Sequence, residues 1–128
     1  MKRGMRSPQA WVFGLVLATI VLLPGSGRFV AGVVAADAVG EKVLLDNERV
    51  TLIEFVFPAR FKGEEHAAVA DEFAYVLEGE FSVVTKGTGK RTLRPGEVEY
   101  AAKGTVHYSL NETARPSRVL VVLLKDRP

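Results

Sequence analysis

The chain has 128 residues, one domain's length, and is 48% hydrophobic and 25% charged, a composition that excludes wholesale disorder. It has no cysteine, which excludes disulfides, thiolate metal sites and a cysteine nucleophile, and only two histidines, His66 and His107, so a site built on three is not available. The formal charge is +2, but four of the seventeen cations and one of the fifteen acids precede residue 39; the thirteen cations and fourteen acids that follow make a near-neutral domain, with no basic stripe for nucleic acid.

Residues 1–9 carry three cations and no acid, residues 10–23 are an apolar run of 14, and Pro24-Gly25 ends it. Small residues follow, with Ala36-Asp37-Ala38 as an A-x-A cleavage signal. This order predicts a secretory signal peptide over residues 1–38 and a periplasmic or secreted domain over 39–128. A spanning helix needs about 20 apolar residues, so 14 is short for a permanent anchor. The long stretch from Pro24 to Ala38 keeps an uncleaved anchor over 10–23 as the alternative, and contact with a membrane is expected only in that case.

The rest reads as all-β. Strands are expected at Lys42–Leu45, Arg49–Phe57, Glu72–Leu77, Phe81–Thr85, Arg91–Leu93, Glu97–Ala101, Thr105–Leu110 and Arg118–Lys125. They are punctuated by Asp46-Asn47, Pro58, Glu78-Gly79, Gly87-Thr88-Gly89 and Pro95-Gly96. No window holds a 3.6-residue apolar period, so no helix is expected in this domain. Short strands with Gly/Pro turns argue for a sandwich or barrel. Glu72–Leu77 and Arg118–Lys125 are apolar on both faces, a pattern that requires cover on both, and a homodimer through an outer sheet face would supply it.

Two segments carry the chemistry. In the first, His66, Glu72 and Gly79 stand at the spacing H-x5-E-x6-G; in the second, Gly96, Gly104, His107 and Asn111 stand at G-x7-G-x2-H-x3-N. Side chains alternate along a strand, so His66, Ala68 and Glu72 share parity and face one lumen if their segment stays extended; His107, Ser109 and Asn111 share another face. Two imidazoles and a carboxylate are the ligand set of a facial triad, which leaves coordination positions open. The competing reading is a hydrogen-bonded pair of His66 and Glu72 in an empty barrel. Glu64, Glu65 and Asp71 are either a substitute ligand or a charged loop at the barrel mouth. Tyr100 and Tyr108 line a pocket or pack in the wall. Asn111 is expected to hold a turn through its amide, and Asn111-Glu112-Thr113 also spells a glycosylation sequon.

From about Val43 to Lys125 the chain resembles the cupin superfamily, whose motifs run G-x5-H-x-H-x3–4-E-x6-G and G-x5-P-x-G-x2-H-x3-N. It departs from them at Arg60 for the first glycine, Ala68 for the second histidine and Ala102 for the proline. The resemblance implies a small double-stranded β-helix, or jelly-roll barrel. It also implies a divalent metal (iron, manganese, nickel, copper or zinc) on His66, Glu72 and His107, the three that remain of four typical ligands. The functions it implies are dioxygenase- or isomerase-like action on a small organic substrate. The alternatives are a metal-free small-molecule binder and a scaffold domain. The Ala68 departure bears directly on the metal.

Overall fold

The structure is a computed structural model and describes residues 38–126. The expected signal segment, up to residue 37, lies outside the described residues. Among the described residues there is no helix, and so none long and apolar enough to cross a membrane.

The chain forms ten strands: β1 (Gly40–Asp46), β2 (Val50–Phe57), β3 (Phe61–Lys62), β4 (His66–Ala67), β5 (Asp71–Glu78), β6 (Phe81–Thr85), β7 (Gly89–Leu93), β8 (Val98–Ala101), β9 (Val106–Asn111) and β10 (Ser117–Leu124). They make two antiparallel sheets, one ordered β1-β2-β10-β5-β8 and the other β3-β9-β6-β7, with β4 also paired to β9. The all-β jelly-roll expectation is met. The eight expected strands are present with shifted ends; β3 and β4, at two residues each, are too short to carry a hydrophobic period.

Register explains the core. Val119 of β10 lies opposite Phe55 of β2 on one side and Val76 of β5 on the other. Val76, Leu93 and Val119 are fully buried, and Ile53, Phe55, Phe57, Phe81 and Val83 complete the cluster between the sheets. Phe57 stacks on Phe55 and Phe81 at centroid separations of 5.7 and 5.1 Å. Each such buried side chain stabilises by about 1.5–3 kcal/mol. The opposite face of the first sheet is also apolar, as its sequence requires, and in the single chain Phe73, Tyr75, Val98 and Tyr100 are exposed there.

Three motif positions have structural reasons. Gly79 has φ +75°, and a Cβ there would lie 2.8 Å from the Pro116 carbonyl oxygen, so only glycine fits beside the start of β10. Arg60, which stands in the place of the motif's first glycine, has φ +60°. Its backbone N–H donates to the Thr113 carbonyl at 3.0 Å and its guanidinium to the Glu112 carbonyl, which hold it in a left-handed conformation that costs a non-glycine residue about 1–2 kcal/mol. Asn111 is fully buried. Its Nδ2 donates to the carbonyls of Arg115 at 2.7 Å and Pro58 at 3.0 Å, and its Oδ1 accepts from the Thr113 N–H and hydroxyl. The expectation that this amide holds a turn is met, and the sequon reading fails because a glycan has no access to a fully buried amide.

Asn111→Ala leaves several carbonyls without a donor, and a loss of about 3–5 kcal/mol is expected in urea unfolding; a loss below about 1 kcal/mol contradicts this account of the turn. At position 60, Arg60→Gly is expected to be about 1 kcal/mol more stable than Arg60→Ala, since only alanine meets the left-handed penalty. Equal unfolding midpoints would remove backbone strain from that position.

Candidate metal centre

The expectation that His66, Ala68 and Glu72 share one extended strand is corrected. His66 sits on β4 in the second sheet and Glu72 on β5 in the first, and the chain crosses between them over residues 68–70. The crossing is fixed by backbone bonds. The Ala68 N–H donates to the Thr105 carbonyl at 2.8 Å, and the Ala68 carbonyl accepts from Gly104 N–H at 2.6 Å. Ala68 is itself buried, at 3% exposure. Convergence of the three candidates comes from this crossing and not from parity along one strand.

The structure does bring them together. His66 lies opposite His107 in the β4–β9 pairing, with ring centroids 4.8 Å apart and planes at 60°. From the facing sheet, Glu72 Oε1 comes within 3.2 Å of His107 Nε2. Glu72 is held one strand in from the edge of its sheet by register with Leu123 of β10 and Ala101 of β8. His66 Nδ1 donates to the Glu64 carbonyl at 3.0 Å, an assignment that puts the ring's lone pair on Nε2.

His107 is buried, and neither ring nitrogen has a hydrogen bond; the Glu72 contact has the distance but not the alignment of one. A buried polar atom left so costs about 1–3 kcal/mol and calls for a physical explanation. Burial pushes His107 below its ordinary value, and any charge on the neighbouring His66 ring acts in the same sense. The ring is therefore a neutral imidazole at neutral pH, and its contact with Glu72 is not an ion pair. Burial pushes the Glu72 carboxyl above its ordinary value, against a smaller opposing effect of His66.

The donor chemistry fits a divalent ion in part. Two atoms each about 2.1 Å from one metal, with a bond angle near 100°, stand about 3.2 Å apart, the observed spacing of Glu72 Oε1 and His107 Nε2. His66 supplies a third donor beside them but meets His107 ring to ring. Among the described residues, no group of three or more His, Cys, Asp or Glu is already arranged to hold a metal ion.

The other candidates fall away from the lumen. Glu64 and Glu65 are exposed and lie in a charged loop, while Asp71 opens β5 and accepts the Lys103 backbone N–H at 2.8 Å. Tyr100 is half-exposed on the outer face and packs on Phe73 at 5.0 Å, and Tyr108 lies under Lys62 Nζ. Neither lines the space between the sheets. Sequence reasoning missed Arg91 and Glu99, which form an ion pair at 2.6 Å from β7 to β8. The available signal was parity: Arg91 shares a face with Leu93, and Glu99 with Ala101, both buried.

The cupin domain model matches residues 53–123, more than half of the chain. The protein is a cupin. Solved cupin-fold structures agree with this assignment. A cupin superfamily protein from Desulfitobacterium hafniense superposes with a TM-score of 0.63 at 21% identity, covering 70% of this chain and 80% of that one. The DMSP lyase DddQ from Ruegeria pomeroyi gives 0.65 at 23% identity, over 74% of this cupin and 51% of the lyase. The polyketide cyclase RemF from Streptomyces resistomycificus gives 0.63 at 26% identity, over 70% and 67%. No curated protein matches the chain significantly.

The two shifts act oppositely on stability. His107, lowered when folded, takes its proton more readily in the unfolded chain, so its contribution is present above pH 6.5 and is lost as pH falls from there to its folded value. Glu72, raised when folded, penalises the native state at neutral pH, and that penalty disappears as pH falls toward 4.5. In chelator-treated protein, Glu72→Gln is expected to raise stability at pH 7.5 and to abolish the gain on acidification, while His107→Gln abolishes the loss below pH 6.5. Urea unfolding across pH 4.5–7.5 checks both, and parallel curves for the variants and the parent would contradict the burial argument.

Proposed function

We propose that this cupin is an exported metalloprotein in which His66, Glu72 and His107 hold a divalent ion and present its open positions to a small organic substrate. The observation that carries this is the buried His107 imidazole, its two nitrogens without hydrogen bonds and its Nε2 at ligand spacing from Glu72 Oε1. When bound, an iron, manganese, nickel, copper or zinc ion would supply Lewis-acid or oxygen-dependent chemistry.

The protein's own groups have definable tasks. His107 is kept neutral by burial, so no proton has to be displaced from it before it can bind an ion at neutral pH. The Glu64 carbonyl fixes the His66 tautomer and leaves Nε2 as the donor. Ala68 supplies no ligand, so a position filled by the second histidine in typical relatives falls to water or substrate. Because burial raises the Glu72 carboxyl, a proton competes with the ion for it, and uptake would weaken on acidification already above the ordinary glutamate range. Export rests on the basic, apolar and small-residue order of residues 1–38. The lyase and cyclase among the structural neighbours are consistent with catalysis on small organic molecules.

Elemental analysis of the purified full chain is expected to find one equivalent of a divalent metal. Glu72→Gln, His66→Ala and His107→Ala should each weaken it at least tenfold. Chelation should lower the melting temperature by about 4–8 °C for each kcal/mol of binding lost. Metal content no higher in the parent than in the three variants overturns the metal reading and leaves a metal-free small-molecule binder.

A further inference from the structure

A second polar pair, which the His66, Glu72 and His107 set does not use, bridges the edges of the two sheets. Arg91 lies opposite Val83 on β6, and Val83 lies opposite Ser109, two residues along β9 from His107. Glu99 lies opposite Ala74 on β5, two residues along from Glu72. The pair is thus displaced by about 7 Å along the strands from the His107–Glu72 contact, and lies two strands across from β9 and one across from β5. Arg91 Nη1 donates to Glu99 Oε2 at 2.6 Å and to the Val98 carbonyl at 3.0 Å. Glu99 is largely buried, at 17% side-chain exposure, whereas the Arg91 side chain is 55% exposed.

A strut between two sheet edges needs only one donor and one charge, and Nη1 alone makes both contacts. Among the described residues, Nε and Nη2 make no hydrogen bond, and they form the edge of a guanidinium that matches a carboxylate bidentately. The other edge is anchored by Glu99 and Val98, so the fork is pre-organised and little freedom is lost on binding. We propose that Arg91 is the ligand-recognition residue of this lumen and that the substrate class is a small carboxylic acid. Its carboxylate seats on Arg91 while a neighbouring oxygen reaches the histidine end. This rests on the metal reading of that end, because Glu72 and Glu99 disfavour an anion until a divalent ion offsets them.

The test uses the full chain with pyruvate as probe and its neutral amide as control, titrated by NMR with and without one equivalent of zinc. Zinc-loaded protein is expected to bind pyruvate and to ignore the amide, and Arg91→Met to weaken pyruvate at least tenfold without changing zinc content. Glu99→Gln removes the charge of the strut but leaves an amide oxygen to accept from Nη1, and should keep pyruvate affinity within threefold of the parent. The proposal is overturned if Arg91→Met binds pyruvate like the parent, if Glu99→Gln loses as much as Arg91→Met, or if the parent binds no pyruvate. Should zinc fail to load, the metal reading is overturned and this assignment, which rests on it, falls with it; zinc loading without Arg91-dependent pyruvate binding overturns the assignment alone.

Discussion

A strand side chain can face only one of two ways, and β9 shows what this constraint determines here. Its inner face presents His107, Ser109 and Asn111 in turn. At one end a histidine is carried between the sheets against Glu72; at the other an asparagine is carried into the turn around Pro58 and Arg115. A slip of one residue would send all three outward and replace them with Tyr108 and Leu110. The His107–Glu72 contact and the Asn111 turn therefore depend on the same register, set by pairing with β3, β4 and β6.

Placing a titratable pair in that position has an energetic cost. Glu72 and His107 are both shifted toward their neutral forms by burial, and His107 lacks hydrogen bonds for its ring. Apolar residues of similar volume would pack there without that penalty, as Val76 and Val119 do a few residues away. Perturbed groups set at the cost of stability are the mark of a functional site, although structural pairs can be perturbed too.

The lumen is polar at two places, with an apolar core beyond. The histidine end joins β4 and β9 to β5, and the Arg91–Glu99 pair joins β7 to β8 across the edges of the two sheets. Beyond them the stacked Phe55, Phe57 and Phe81 close the space. The fold itself is shared with proteins of different activities, so the site's own residues have to carry the functional argument.

Much of this was legible in the chain. Alternation and Gly/Pro punctuation gave eight of the ten strands, because apolar period and turn chemistry are local properties. The spacing of His66, Glu72, His107 and Asn111 marked the site and the turn. The two-residue strands β3 and β4 carried no period, and their pairing with β9 is what moved His66 into the opposite sheet from Glu72. Arg91 and Glu99 were not singled out: parity put them on inward faces, but nothing local tells a strand which neighbour it will face. Which residues alternate was decided by the sequence; which of them meet was decided by long-range register, a property of strand pairs that no single segment contains.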